Sequence, residues 1–245
     1  MLNKIFCSKA ASAAFITAEA LLCVLIQTVG GRVNDVLSVL SVALAFIFVL
    51  TGTVHTPRVD LFILTAAFFF NTLADVFLIL VTPAMPISAM LCFSVVAALY
   101  FLLILFSTES KESVRIHIFV RLALLTVMLF VTLGVLGEAV DFLAVISVLY
   151  FTNLILNIIF SALLGPGRIL LTVGLVFFAV CDVFVGFSMM GEYLSISEGT
   201  FAYFLAHPGF NAAWLFYVPA QLFLALSARF CPPAKNSLKI FACGF

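Results

Sequence analysis

Residues 61–81 read LFILTAAFFFNTLADVFLILV, twenty-one positions that carry one ionisable side chain, Asp75. A helix needs about 20 mostly apolar residues to cross the hydrocarbon core of a bilayer. A helix that is apolar all round is either such a span or the centre of a large soluble protein. The whole chain decides between them. Hydrophobic residues make up 65% of its 245 positions and charged residues 9%, whereas a soluble domain carries about 25% charged residues. So few charges cannot clothe a solvated surface, and the surface must face lipid. The fold class is therefore all-α, a polytopic transmembrane helical bundle forming a single integral membrane domain over residues 1–245.

Outward from that run, seven more candidates of similar length appear, giving eight in all: 11–30, 36–54, 61–81, 86–106, 116–136, 141–164, 168–190 and 211–230. Turn and charge signals separate them: Gly30-Gly31-Arg32, His55-Thr56-Pro57-Arg58, Thr82-Pro83, Glu109 to Arg115, Gly137-Glu138 and Gly165-Pro166-Gly167. The first run reads as a span and not as a cleaved signal peptide. It carries Glu19, and its small residues, Ala10 to Ala14, precede the apolar run instead of following it. The connection from Glu192 to Asn211 is rich in aromatic residues, which suit the lipid interface, and a short interfacial helix is expected at Gly199 to Ala206.

Lys and Arg set the orientation, because short cytoplasmic loops carry the excess. With the N-terminus inside, Lys4, Lys9, Arg58, Lys111, Arg115, Arg121, Arg168, Arg229, Lys235 and Lys239 all fall on the cytoplasmic side, ten of the eleven basic residues. Only Arg32 falls outside. Both termini are then expected in the cytoplasm, and the membrane is the plasma membrane if the chain is bacterial. Net charge is zero, so nothing points to a nucleic-acid partner. Cys23, Cys92 and Cys181 lie within apolar runs as small hydrophobes. Cys7, Cys231 and Cys243 flank spans, where palmitoylation is chemically possible and incidental cysteine is the plainer reading. No Cys/His spacing marks a metal site, and no cofactor is called for.

Ionisable residues within spans are costly and usually face the bundle interior. Asp75 in the third span and Asp182 in the seventh lie about fifteen residues into spans that run the same way, so both carboxyls are expected at similar depth, somewhat to the outer side of the midplane. Both sit in Asp-Val-Phe with a Phe five residues earlier, Phe70 and Phe177. This hints at two four-span halves repeated in parallel, about 1–107 and 114–230. A lone buried Asp also serves as a hydrogen-bond partner for a neighbouring helix; two at matched depth favour a functional site. Asn71 lies one turn before Asp75 on the same face. Asn153 and Asn157, with Tyr150 a turn away, and Tyr217 with Gln221 form similar pairs. Interhelical hydrogen bonding accounts for Asn153 and Asn157. Pro219 is expected to bend the eighth span beside Gln221 and to free backbone groups there.

The stretches Ala74-Asp75-Val76-Phe77-Leu78, Phe178-Ala179-Val180-Cys181-Asp182 and Tyr217-Val218-Pro219-Ala220-Gln221 are similar, in order and spacing, to motifs of the YhhN-like lysoplasmalogenase family of eight-span membrane proteins, and Tyr150 falls where a family Tyr does. The resemblance covers about residues 60 to 230. It departs at Ala74, where the family has Gly, at Cys181, where it has Ser, and at Val96-Ala97-Ala98-Leu99-Tyr100, which lacks the family's His. The resemblance implies a membrane-embedded lipid hydrolase that cleaves the vinyl-ether bond of a lysoplasmalogen to a fatty aldehyde and a glycerophospho-alcohol. It implies Asp75 and Asp182 as the catalytic pair, Asn71, Tyr150, Tyr217 and Gln221 as substrate-binding residues, and a membrane lysophospholipid as partner. The carboxylates suit that chemistry: two side by side hold one proton between them, so one acts as acid and the other as base. Two rival classes remain open at this point. One is a small-solute or proton-coupled transporter, since intramembrane carboxylates occur there too. The other is a non-catalytic lipid-binding or scaffold protein, favoured by the altered flanks.

The topology is tested by cysteine-accessibility labelling. Cysteine placed at Lys111 or Lys239 is expected to react from the cytoplasmic side, and at Glu138 or Glu198 from the outside. Finding Glu138 on the side of Lys111 overturns the eight-span arrangement.

Overall fold

The structure, a computed structural model, describes residues 9–108, 110–191, 193 and 195–231. Lys4, Cys7, Glu109, Glu192, Lys235, Lys239 and Cys243 lie outside the described residues. Eight helices are long and apolar enough to cross a membrane, and the described residues form no strand. The protein is an all-α, multi-pass integral membrane protein.

We number the helices α1 (Lys9–Thr28), α2 (Gly31–His55), α3 (Val59–Asp75), α4 (Pro86–Ser107), α5 (Lys111–Leu136), α6 (Phe142–Leu163), α7 (Ile169–Met190), the short α8 (Phe201–Ala206) and α9 (Ala212–Phe230). Backbone groups within hydrocarbon find no water, so only helices cross and the connections stay short. Their ends are closed locally. Ser110 accepts from the Ser113 amide at the start of α5, and Asp141 accepts from the Ala144 amide at 2.7 Å at the start of α6. Pro86 opens α4, where its missing N–H costs nothing. Asn34 donates to the carbonyls of Ile26 and Val29 and so pins α1 to α2 across a two-residue turn. The short helix expected in this connection is present as α8, starting two residues late because Thr200 caps it by accepting from the Tyr203 amide.

Side by side, the helices form a ring: α2 beside α3, α3 beside α4, α4 beside α6, α6 beside α7, α7 beside α9, and α9 back beside α2. Two helices stay outside it. The α1 helix rests on α2 and α9, and α5 rests on α6. The α5 helix is built inside out relative to a soluble helix. Its buried residues are His117, Arg121 and Thr132, while Phe119 is 74% exposed and Phe130 67%. That reversal fits lipid as the solvent.

One expectation needs correction here. Arg121 is not a cytoplasmic loop charge but a buried residue ten positions into α5. The remaining described cations except Arg32 (Lys9, Arg58, Lys111, Arg115, Arg168 and Arg229) sit at one common end of the bundle, called the basic end below. There Arg58 pairs with Asp60, and Arg229 donates to Ser12, joining α9 to α1.

The closest helix pairing is that of α7 with α9, and Gly174 is its reason. A Cβ at Gly174 would lie 2.7 Å from Leu224 Cγ and 2.9 Å from its backbone nitrogen. Small residues let backbones approach in this way where no hydrophobic drive joins helices in lipid. Gly174→Ala is expected to lower stability by about 1–3 kcal/mol. Gly134→Ala, where a Cβ would meet nothing within 4 Å, is expected to be neutral or slightly stabilising. Thermal melts of the two variants in detergent check this, and equal melting temperatures would contradict the contact.

Candidate active site

The third span changes its winding where it carries its acid. The α-helix ends at Asp75 and continues as a π-helical turn over Val76–Leu80. Such wider turns occur often at functional sites. Asp75 lies about sixteen residues from the start of its span and Asp182 the same from Pro166, so each is about 24 Å along from the basic end. Their helices lie on opposite sides of the ring, so the two carboxyls approach from opposite walls.

Each carboxyl receives a tyrosine hydroxyl. Tyr217 on α9 donates to Asp75 Oδ2 at 2.8 Å, and Tyr150 on α6 donates to Asp182 Oδ2 at 2.7 Å. The α6 and α9 helices are the two ring neighbours of α7, so the tyrosines flank Asp182 from either side. Aromatic rings join the two pairs into one wall. Phe93 lies 5.9 Å from Tyr150 and 6.1 Å from Phe178, and Phe178 lies 5.3 Å from Tyr217. Asp75 is buried, whereas Asp182 is partly exposed.

Asn71 and Gln221 complete the inner face. The α3 and α9 helices run in opposite directions and meet at Asp75 and Tyr217. One turn toward the basic end, Asn71 and Gln221 therefore lie at the same level. Both are fully buried, and among the described residues neither amide has a partner at its oxygen or nitrogen. The Tyr100 hydroxyl is likewise buried without a partner among the described residues. Pro219 lies inside α9 between Tyr217 and Gln221 and has no N–H to give the Leu215 carbonyl. Several donors and acceptors inside an otherwise apolar ring thus have no partner among the described residues.

Asn153 and Asn157 do different work. Asn157 donates to the Ala97 carbonyl on α4 at 2.8 Å and accepts from Arg121 at 2.9 Å, so it ties α4, α5 and α6 together. Arg121 also donates to the Asn153 carbonyl at 3.3 Å and lies 4.1 Å above the Phe101 ring. The buried role of Arg121 was legible only as its place five residues inside the apolar run 116–136. The π-turn after Asp75 left no signal in the sequence. Glu19 finds its partner in Ser41, which donates to it at 2.6 Å between α1 and α2. Among the described residues no group of three or more His, Cys, Asp or Glu side chains is gathered as a metal site would require.

Compared with known proteins, the chain matches no family model, no curated protein and no solved structure. The fold and the site therefore stand on their own geometry: a multi-pass membrane protein whose helical ring encloses two tyrosine-bound carboxyls.

The satisfied and unsatisfied amides separate stability from function. Leaving a buried polar group unpaired costs about 1–3 kcal/mol. Asn71→Leu and Gln221→Met are therefore expected to keep or raise the melting temperature. Asn157→Leu is expected to lower stability by about 1–3 kcal/mol, because it orphans Arg121 and the Ala97 carbonyl. Melts of the three variants check this; a large loss of stability in the first two would make them structural residues.

Proposed function

We propose that the protein is a membrane-embedded lipid hydrolase that cleaves the vinyl-ether bond of a lysoplasmalogen, releasing a fatty aldehyde and a glycerophospho-alcohol. The observation that carries this reading is the pair of carboxyls, each held by a tyrosine hydroxyl, with the two tyrosines joined through the rings of Phe93 and Phe178. Its chemical class also follows from the similarity of the Asp75, Asp182 and Tyr217–Gln221 stretches to the lysoplasmalogenase motifs.

Vinyl-ether hydrolysis begins when an acid places a proton on the alkenyl carbon one removed from the ether-bearing carbon. An oxocarbenium-like species forms at the ether-bearing carbon. Water adds there while a base takes its proton, giving a hemiacetal. The acid is now ionised and the base protonated. The hemiacetal then breaks as the protonated carboxyl gives its proton to the departing glycerol oxygen and the ionised one takes the hemiacetal proton. One water is consumed and the pair returns to its starting state. Two carboxyls sharing one proton suit this exchange. Each tyrosine occupies Oδ2 of its carboxyl and leaves Oδ1 for the travelling proton. Asn71 and Gln221, with open hydrogen-bonding capacity a turn below, suit the water and the glycerol hydroxyl. A site within the membrane suits a substrate whose alkenyl chain stays in hydrocarbon.

Lipid mass spectrometry of aldehyde released from lysoplasmalogen by the purified protein tests the proposal. Asp75→Asn and Asp182→Asn are each expected to lower turnover at least about 10²-fold, the lower end of what acid–base catalysis contributes. The double variant is expected to be little worse than either single one, because the two act as a unit. The pH profile is expected to be bell-shaped and to report the pair rather than either residue. Wild-type protein that releases no aldehyde removes the enzyme reading. Near-normal turnover in either Asn variant keeps the enzyme and rejects this mechanism.

A further inference from the structure

Among the described residues, Arg121 makes every side-chain hydrogen bond that joins α5 to another helix. Its Nη2 donates to Asn157 Oδ1 at 2.9 Å and its Nη1 to the Asn153 carbonyl at 3.3 Å, both on α6. Its guanidinium also lies 4.1 Å from the centre of the Phe101 ring on α4. Thr132, by contrast, turns its hydroxyl back to the Met128 carbonyl of α5 itself. A cation buried within a span is costly and usually marks function. A helix that only covered α6 could do so with apolar side chains.

The α4 and α6 helices both run toward the basic end and so lie parallel. On α4, Phe93, Ala97 and Phe101 follow one another at a spacing of four. On α6, Tyr150, Asn153 and Asn157 follow at spacings of three and four. Each set shares one helix face. The two faces meet at two levels. At the outer level Phe93 lies 5.9 Å from Tyr150, whose hydroxyl donates to Asp182 on α7 at 2.7 Å. At the inner level Asn157 donates to the Ala97 carbonyl at 2.8 Å. The levels are about 10 Å apart along α6.

The inner level depends on Arg121. An arginine only donates, so Asn157 must turn its oxygen to α5, which leaves its Nδ2 for the Ala97 carbonyl. A bond from a cation is about twice as strong as one between neutral groups. Without it the amide is free to turn over and set its oxygen against the carbonyl, which unties α6 from α4. Packing in lipid has no hydrophobic drive to hold two helices in one register. We propose that Arg121 is a positioning residue: through Asn157 it sets the height and rotation of α6 against α4, and so holds the Tyr150 hydroxyl on Asp182. An O–H···O bond spans only about 2.5–3.0 Å, and a misplacement of about 1 Å costs on the order of 100-fold in an oriented site. The assignment deepens the hydrolase reading and rests on it for turnover alone, since the Tyr150 bond is observable without any reaction.

Solid-state NMR of the full chain in bilayers, isotope-labelled at the hydroxyl-bearing ring carbon of tyrosine, tests it. The chain has five tyrosines, and Tyr150→Phe and Tyr217→Phe identify the two signals of interest. Arg121→Gln is expected to move the Tyr150 signal in the direction that Asp182→Asn moves it and to leave the Tyr217 signal in place. Arg121→Lys, which keeps a cationic donor for Asn157, is expected to hold the Tyr150 signal. His117→Ala removes the ring 3.8 Å from that of Phe160 on α6 and leaves the Arg121 bonds. It is expected to lower the melting temperature without moving the signal. Asn157→Asp keeps Arg121 as a partner but offers no donor to Ala97. It is expected to move the Tyr150 signal, and it decides the matter if Arg121→Gln does not fold. In protein that releases aldehyde, Arg121→Gln is expected to lower kcat at least about tenfold with KM unchanged, the mark of a group that matters in the transition state. The proposal is overturned by an unmoved Tyr150 signal in folded Arg121→Gln or Asn157→Asp, by an equal movement of the Tyr217 signal, by as large a movement in His117→Ala or Arg121→Lys, or by unchanged kcat in active Arg121→Gln. Failure of the hydrolase reading shows differently, as the expected signals in a protein that releases no aldehyde.

Discussion

A carboxyl carried into hydrocarbon has to bring its hydrogen-bond donor with it, and the bundle is arranged around two solutions to that demand. Tyr217 reaches Asp75 from a helix 142 residues later in the chain, and Tyr150 reaches Asp182 from the neighbouring one. Helix association in lipid has no hydrophobic drive, and an interhelical hydrogen bond contributes only about 0.6–1.7 kcal/mol. The rest of the cohesion comes from close packing. The α9 helix presents Ala220, Ala225 and Ala228 as buried residues, and Gly174 lets Leu224 against the α7 backbone. The tyrosine–carboxyl bonds fix which helices meet, and the small residues let them meet closely.

The polar residues inside the ring fall into two kinds. Asn157 has its bonds made, to Ala97 and Arg121, and accounts for itself as structure. Asn71 and Gln221 are equally buried and have no such bonds. Natural cores leave few buried polar groups unpaired, and each exception calls for a reason. Here the exceptions lie one turn from Asp75 and Tyr217.

The architecture was legible because hydropathy acts locally. Every span expected from apolar runs occurs within a few residues, from Lys9–Thr28 to Ala212–Phe230. The acids could also be found by eye, since Asp75 and Asp182 interrupt apolar runs at matched positions. Tyr150 and Tyr217 were also singled out, as substrate-binding residues, but not as the donors to Asp182 and Asp75, because pairing depends on which helices become neighbours, and that is a property of the ring rather than of any one segment. Arg121 misled for a related reason. Ten residues past Lys111, it looks like the tail of a basic loop until Asn157 and Phe101 are known to lie beside it. The π-turn after Asp75 has no marker in Val76-Phe77-Leu78-Ile79-Leu80, which would wind equally well as α-helix.

The α9 helix has the lowest hydropathy of the eight spans and the largest buried share. It holds Tyr217, Pro219 and Gln221 within nineteen residues. On the ribosome it emerges after the other seven spans, so Asp75 resides in the bilayer for the time it takes to translate some 140 residues before its donor exists. The Tyr217–Asp75 pair is thus completed only when α9 inserts. A helix so weakly apolar is retained in the membrane by the groove between α2 and α7 that receives it more than by lipid. The α9 helix is thus held by recognition of its neighbours as much as by partition into lipid.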